Sequence, residues 1–290
     1  MVTVMTRLTV LVCGATGRFA ALSDILIRRG HRVLAGTRRP DLPVARQLRD
    51  RGAQVVRLDF DDAATIRHAA RHADAMVAAG TAHAAGPVAD VRHGRAIVDA
   101  AAAAGIGHLL YITVAGAEHR TGVPIIDSKH EVERHLRSVG VPHTIVAPAY
   151  FMDNVWNPWN AAALAAGMLP TPVSRCRPLQ QIPIGDVLEF TAHVLESGHG
   201  GRAERIEIAS DELSAVQAAE TVSRLVGRPV GVADPASGQQ PLFAWLERVG
   251  TRVDVAALRR RFPGIGWHTF ADWAATQDWR SRLGFDATGR

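Results

Sequence analysis

The strongest indication of the fold is found in residues 8–30, LTVLVCGATGRFAALSDILIRRG. Its first six residues are apolar or β-branched, which predicts a buried strand, Leu8–Cys13. The strand leads directly into Gly14-Ala-Thr-Gly17-Arg-Phe-Ala20 and then into a helical pattern that ends at Gly30. A glycine turn at this junction lets the backbone approach a diphosphate closely, and the helix N-terminus favours anions. The alternative is a tight turn with only a structural role.

The same alternation of strand and helix continues to about residue 147. Further strands are predicted at Arg32–Gly36, Gln54–Leu58, Ala75–Ala79, His108–Thr113 and His143–Ala147. Helices are predicted between them at Ala20–Arg29, Val44–Arg51, Asp62–His72, Val88–Ala104 and Ser128–Ser138. Strands that are apolar throughout and alternate with helices indicate a doubly wound parallel sheet, an α/β fold of the Rossmann type.

The amino-acid composition changes after Pro148, where aromatic residues, Asn and Pro become frequent. We therefore expect residues 1–149 to form a nucleotide-binding domain to which residues 184–212 return, with a helix at Asp186–Glu196 and a strand at Arg205–Ala209. Residues 150–183 and 213–290 are predicted to form a smaller, mainly helical substrate-binding lobe. Four prolines predict an irregular chain before that helix: Pro170, Pro172, Pro178 and Pro183.

Composition excludes several classes of protein. With 290 residues, 47% of them hydrophobic and 21% charged, the chain can bury a substantial core and is not disordered. It has two cysteines, which fits a reducing cytoplasm, and it has neither a secretory signal pattern nor an apolar run approaching about 18 residues, so we expect no membrane span. The net charge of +5 is scattered along the chain, which disfavours nucleic-acid binding.

A metal site is also disfavoured. His130 and His135 flank acidic residues as in a zinc-binding helix, but they are five residues apart and therefore lie about 140° around a helix from each other. Neither a nucleophile elbow nor a suitably placed cysteine supports hydrolase chemistry. We therefore predict no metal.

The end of the second strand indicates which dinucleotide binds. NAD sites usually place a carboxylate here for the ribose hydroxyls, whereas NADP sites place arginine here for the 2′-phosphate. Arg38 and Arg39 occupy this position, and two guanidinium groups can clamp a phosphate. They favour NADP(H), unless they are two more surface arginines of an arginine-rich chain. Asp59 and Phe60, after the third strand, are expected beside the adenine, although Asp59 is also a candidate helix cap.

Several motifs together resemble the NmrA-like proteins, an atypical branch of the short-chain dehydrogenases/reductases. They are Gly14-Ala-Thr-Gly17, Thr37-Arg38-Arg39, Asp59-Phe60-Asp61, residues 127–133 (DSKHEVE) and residues 148–154 (PAYFMDN). The resemblance covers nearly the whole chain and implies a Rossmann domain that binds NADP(H), with a small C-terminal lobe over the nicotinamide end. Members of the family include quinone and dye reductases and redox sensors without turnover. The chain departs from the family pattern in the glycine turn, which is about one residue shorter and has Ala20 in place of a third glycine.

The resemblance also places Lys129, the only lysine in the chain, beside the nicotinamide ribose. Most short-chain dehydrogenases have a proton-donating Tyr four residues before this Lys, but here that position is Ile125. An ammonium group that is partly desolvated acquires a pKa suited to acid catalysis. Asp127 is expected either to pair with Lys129 or to cap its helix, and the alternative for Lys129 is an exposed helix residue.

Two further residues are candidates for the catalytic site. Thr113 ends the fifth strand, where the superfamily often has a hydroxyl that binds a substrate carbonyl, and Tyr150 follows the sixth strand. The alternative for Tyr150 is an aromatic wall of the substrate site. The predicted cofactor-binding set is Gly14, Thr16, Gly17, Arg18, Phe19, Arg38, Arg39, Asp59, Phe60, Lys129 and Pro148.

The sequence therefore predicts a reductase that transfers hydride from NADPH to a small conjugated acceptor such as a quinone, enone or imine. The aromatic segment of residues 150–159 suggests a small apolar or aromatic substrate, and a homodimer is possible. Two other functions are compatible with the sequence. One is an NADP(H)-binding redox sensor without catalysis, and the other is a cofactor-assisted isomerase, lyase or cyclase.

Overall fold

The computed structural model describes residues 7–197, 203–235 and 240–284. They form two compact units, and the chain passes between the units more than once. Unit 1 comprises the described residues of Met1–Ala147 and Leu188–Glu207, and unit 2 those of Pro148–Val187 and Ile208–Arg290. None of the helices within these described residues is long and apolar enough to span a membrane.

Unit 1 is built on a seven-stranded sheet. Its strands are β1 (Thr9–Cys13), β2 (Arg32–Thr37), β3 (Gln54–Arg57), β4 (Ala75–Ala79), β5 (His108–Ile112), β6 (His143–Pro148) and β10 (Glu204–Ile208), in the order β10-β6-β5-β4-β1-β2-β3. The strands from β6 to β3 pair in parallel. The order reverses at β1, as in a doubly wound sheet, and the predicted fold class is therefore confirmed.

Helices join the strands of unit 1: α1 (Ala21–Arg28), α2 (Pro43–Asp50), α3 (Ala63–Ala70), α4 (Ala82–Ala85), α5 (Pro87–Ala104) and α6 (Pro124–Val139). A further helix, α8 (Ile184–Glu196), belongs to unit 1 from Leu188 onward and leads to β10. Most predicted bounds differ from these by one or two residues. The helix predicted to begin at Ser128 instead begins at Pro124, because proline has a suitable φ angle and needs no hydrogen-bond acceptor in a first turn. The short helix α4 was not predicted.

The core of unit 1 lies where the sheet meets α3, α5 and α6. Every residue of β5 and β6 is buried, as expected of central strands covered on both faces. Gly94 permits the close packing of α5 on α6, because a Cβ atom at this position would lie 2.4 Å from Val132. This packing fixes which residues of α5 and α6 face each other.

Unit 2 contains short elements. They are β7 (Tyr150–Phe151), α7 (Ala161–Ala165), β8 (Met168–Leu169), β9 (Leu179–Ile182), β11 (Asp211–Leu213), α9 (Ala215–Val226), β12 (Gly231–Val232), α10 (Pro241–Arg248), α11 (Val255–Arg261), α12 (Phe270–Ala275) and α13 (Trp279–Arg282). The prediction of an irregular chain from Pro170 to Pro183 was wrong for β9. Pro178 and Pro183 flank this strand, so neither removes a donor from within it.

Candidate functional site

The glycine turn follows β1 and has the backbone geometry that the sequence predicted. Gly14 has a φ of +75°, which side-chain-bearing residues rarely adopt. The Gly17 N–H donates to the Gly14 carbonyl at 3.0 Å, and the Ala15 N–H donates to the Gly36 carbonyl at 2.9 Å, which ties the turn to β2. Gly17 and Arg18 are exposed, so the outer side of the turn is accessible just before α1 begins.

The ends of β1 and β2 lie side by side. The hydroxyl groups of Thr16 and Thr37 are 3.0 Å apart, and the Arg39 N–H donates to the Thr37 hydroxyl at 3.3 Å. The side chains of Arg38 and Arg39 are exposed, and neither forms an ion pair within the part of the chain that the structure describes. Two guanidinium groups near the glycine turn are therefore available to bind an anion.

Phe60 lies against the glycine turn from the side of β3. A Cβ atom added to Gly14 would be 3.6 Å from its ring, and the centroid of the His93 ring is 5.6 Å from that of Phe60. Asp59 accepts from the N–H of Asp61 at 3.1 Å and so orders the turn that precedes α3. The cap of α3 is Asp62 rather than Asp59.

Lys129 lies within α6 and is buried rather than exposed. Its Nζ donates to Asp90 Oδ2 of α5 at 2.7 Å, and the Asp90 side chain is inaccessible to solvent. Burial lowers the pKa of Lys129, while the charge of Asp90 acts in the opposite direction. The lysine packs on Gly80, where a Cβ atom would lie 2.1 Å from Nζ. The glycine that follows β4 is therefore needed for Lys129 to occupy this position.

Asp127 does not pair with Lys129. Its carboxylate accepts from the Thr121 N–H and hydroxyl, each at 2.8 Å, and from the Gly122 N–H at 3.0 Å. These bonds order the loop before α6. The residue that neutralises Lys129 is Asp90. Sequence reasoning missed Asp90 because it precedes the lysine by 39 residues. An acidic residue in the first turn of a helix is also explained by its favourable interaction with the helix dipole.

His83 is a second residue that sequence reasoning missed. It lies in α4, just beyond β4, and burial by its surroundings lowers its pKa. The positive charges of Lys129 and Arg18 lower the pKa further, while the charge of Asp90 acts in the opposite direction. A neutral imidazole is therefore favoured at this point of the site.

Thr113 is buried, and its hydroxyl donates to Glu133 Oε1 at 2.9 Å. Glu133 also accepts from Arg137 at 2.8 Å and from Arg205 of β10 at 3.0 Å. The proton of Thr113 is thus already committed to a carboxylate, which weakens the expectation that it polarises a substrate carbonyl.

Tyr150 and Pro148 belong to unit 2, although Pro148 is also the last residue of β6. Tyr150 lines a cavity of about 60 Å³ within this unit, together with Met152, Trp159, Leu169, Phe243 and Phe270. Trp156 instead packs against Trp273 and Trp279, with ring centroids 6.2 and 4.7 Å away. The aromatic segment therefore contributes both to a cavity and to the core of unit 2.

Metal ligation has no support among the described residues, which contain no group of three or more His, Cys, Asp or Glu side chains able to hold an ion. His130 Nδ1 is 2.9 Å from the Ala117 carbonyl, and His135 Nε2 is 2.6 Å from Asp99. The two histidines of the apparent zinc motif thus have separate partners.

Comparison with solved structures identifies similar chains at low sequence identity. NmrA, a negative transcriptional regulator, is 19% identical, with a TM-score of 0.74 over 94% of this chain and 99% of that one. The NADPH-dependent quinone oxidoreductase QOR2 of Escherichia coli, solved with NADPH, is 19% identical, with a TM-score of 0.75 over 92% and 98%. The triphenylmethane reductase of Citrobacter sp., solved with NADP(H), is 19% identical, with a TM-score of 0.68 over 97% and 92%.

At this level of identity the likeness demonstrates the fold. Family membership follows from the sequence itself. The sequence model of one protein family matches residues 6–234, which include the glycine turn, Arg38 and Lys129. The match spans more than half of the chain and agrees with the resemblance of the individual motifs. The chain belongs to the NmrA-like family.

Proposed function

We propose that this protein binds NADP(H) and reduces a small conjugated acceptor. The observation that carries the proposal is the meeting, at the carboxyl edge of one sheet, of the Gly14 turn and the buried Lys129–Asp90 pair. Ligands of doubly wound sheets bind at this edge, where the strand order reverses. Here the reversal falls between β1, which leads into the glycine turn, and β4, which leads into Gly80.

The residues present fit a dinucleotide with a 2′-phosphate. Gly14 has the positive φ of a turn that admits a diphosphate, and Arg38 and Arg39 are exposed at the end of β2. We assign Gly14, Thr16, Gly17, Arg18 and Phe19 to the diphosphate, Arg38 and Arg39 to the 2′-phosphate, and Asp59 and Phe60 to the adenosine. Pro148 and Lys129 are assigned to the nicotinamide side.

The bound cofactor would supply a hydride. Lys129 holds a proton at Nζ and offers N–H groups to ribose hydroxyls, while Asp90 fixes its position. The low exposure of Lys129 excludes water and brings its pKa closer to neutrality. Tyr150 is the second candidate proton donor, and it lines the predominantly apolar cavity of unit 2.

One observation favours a second candidate function, an NADP(H) sensor without turnover. Ile125 stands where related dehydrogenases carry Tyr, and the Thr113 hydroxyl already donates to Glu133. Two of the usual donors to a substrate carbonyl are thus missing or engaged. A sensor would bind NADPH and NADP⁺ with different affinities and oxidise no NADPH.

The test is titration of the protein with NADPH and NADP⁺, followed by tryptophan fluorescence, and then an assay of NADPH oxidation over a panel of quinones, enones and imines. We expect tight NADPH binding and turnover with at least one acceptor class. Lys129→Met and Tyr150→Phe should lower turnover, whereas His135→Gln, which removes a surface contact, should not. Failure to bind either coenzyme at millimolar concentration would overturn the proposal.

A further inference from the structure

A continuous series of hydrogen-bonding groups connects the buried Lys129 to the surface of unit 1. Lys129 Nζ lies 2.7 Å from Asp90 Oδ2, and the Thr81 hydroxyl lies 3.4 Å from Asp90 Oδ1. The same hydroxyl is 2.9 Å from His93 Nδ1, and His93 Nε2 is 2.9 Å from Asp61 Oδ1. Three of the four contacts have ordinary hydrogen-bond lengths, and the contact of the Thr81 hydroxyl with Asp90, at 3.4 Å, is longer.

The series begins in the protein interior and ends in solvent. The Lys129 side chain is 8% exposed, whereas the Asp61 side chain is 54% exposed. His93 is buried between them with its ring beside Phe60. Hydrogen bonds from His93 and Arg92 hold the pKa of Asp61 below its usual range, so this carboxylate is ionised and accepts from the imidazole.

Holding Lys129 in place does not require the outer half of the series. Asp90 already accepts from Lys129, from the Ser128 hydroxyl at 2.8 Å and from the Thr81 N–H. The contact of the Thr81 hydroxyl with His93 adds an imidazole ring with one nitrogen toward Thr81 and the other toward Asp61. A histidine placed between a buried acid–base pair and the surface is an arrangement suited to proton transfer.

We propose that Asp90, Thr81, His93 and Asp61 form a proton-transfer path between Lys129 and solvent. The path deepens the proposed function on which it rests, since each reduction of an acceptor consumes one proton as well as one hydride. None of these four residues was among the expected site residues.

The transfer balances as one proton entering and one leaving. After Lys129 Nζ has given a proton to the reduced acceptor, the amine is neutral. At rest His93 carries its proton at Nε2, bonded to Asp61, so the neutral ring first flips and presents this N–H to Thr81. The bare nitrogen that now lies beside Asp61 takes a proton from water, and the nitrogen beside Thr81 gives its proton to the hydroxyl oxygen. Thr81 in turn gives its original hydroxyl proton to Asp90, and rotation of the carboxyl group delivers that proton to Lys129. No electrons move. The imidazole again has its N–H beside Asp61 and its bare nitrogen beside Thr81, so the path returns to an equivalent arrangement of hydrogen bonds.

The sole lysine of the chain makes a direct test possible, because labelling with ¹⁵N-lysine gives a single side-chain signal. Exchange of the Nζ protons with water is measured by NMR on the protein alone, near neutral pH. We expect His93→Gln and Thr81→Val to slow this exchange several-fold and Thr81→Ser to preserve it. His135→Gln is the matched control, since it removes another His–Asp contact, to Asp99 at 2.6 Å.

Equal exchange rates in the wild type, His93→Gln and Thr81→Val would overturn the proposal. If Thr81→Val does not fold, the comparison of His93→Gln with Thr81→Ser and His135→Gln decides alone. The two proposals fail separately. Slowed exchange in a protein that ignores NADPH would leave the path and remove the reductase, while NADPH oxidation with unchanged exchange would leave the reductase and remove the path.

Discussion

Asp90 and Glu133 are two buried carboxylates of unit 1 that are neutralised in different ways. Asp90 is paired with Lys129, whose only ion-pair partner within the described residues is this carboxylate. Glu133 is paired with Arg137 and Arg205, and it also accepts from Thr113. Both have no exposed side-chain surface, so burial alone does not distinguish them.

The chemistry of the cation makes the difference. Arginine remains charged under all ordinary conditions, and the carboxylates around Arg205 raise its pKa above the usual value. Lysine loses its proton more readily, and burial lowers the pKa of Lys129. The Glu133 network is therefore suited to holding β10 and α6 together, and the Asp90 pair is suited to moving a proton.

The largest expected effect is on stability and concerns the Glu133 network. Arg205→Met leaves three carboxylates without their shared cation, and breaking a buried pair in this way costs about 3–5 kcal/mol of unfolding free energy. Arg137→Met is the matched control, since the Arg137 side chain is 41% exposed and should matter less. Urea unfolding measures both. Equal losses in the two variants would contradict a structural role for Arg205.

The next effect concerns ligand binding and should leave stability unchanged. Arg38→Asp removes a charge-assisted bond to the 2′-phosphate, which we expect to weaken NADPH binding by about 1.5–3 kcal/mol. Fluorescence titration measures the affinity. NADH lacks this phosphate and should lose no affinity, since a carboxylate at this position can accept from the ribose hydroxyls. Arg49→Asp, on the exposed side of α2, controls for the change of net charge. An unchanged NADPH affinity would disprove the assignment of Arg38.

Gly94 and Gly80 differ in what a larger side chain at each position would contact. A Cβ atom at Gly94 would meet the branched side chain of Val132 at 2.4 Å, so we expect Gly94→Ala to cost about 1–3 kcal/mol of stability by overpacking. At Gly80 the obstacle is the flexible end of Lys129, which moves at a lower cost. Gly80→Ala should therefore lose less stability but shift the ¹⁵N-lysine signal. An unshifted signal would contradict the packing of Lys129 on Gly80.

The smallest expected effect is on the pH dependence of stability, compared between wild type and Lys129→Met. The folded-state pKa of Lys129 is lowered, so between that pKa and the usual value the unfolded chain binds more protons, and stability rises with pH. Wild type should gain stability relative to Lys129→Met across this window, by at most about 1.4 kcal/mol per pH unit. Cys13 and Tyr111, whose pKa values are raised, act in the opposite direction in both proteins and cancel in the difference. A difference in unfolding free energy between the two proteins that stays constant with pH would contradict the lowered pKa. Urea unfolding at a series of pH values measures this difference.

Local sequence patterns were sufficient to predict the doubly wound sheet, the glycine turn and the position of Lys129 on a helix. These features depend on neighbours along the chain: the apolar runs of the strands, Gly14 with its positive φ, and a periodic helix. The bounds of most unit 1 elements were predicted closely for the same reason. The short strands of unit 2, such as β9, gave too few residues for a pattern.

Which charged groups form pairs depends instead on the packing of elements that are distant along the chain. Asp90 precedes Lys129 by 39 residues, and His93 follows Asp61 by 32. These pairs form because α5 packs on α6 and on α3, and Gly94 and Gly80 leave space for close approach. Local patterns predict which face of a helix is buried, but the partner that a buried charge meets depends on how distant elements pack, because electrostatic pairing acts through space and not along the chain.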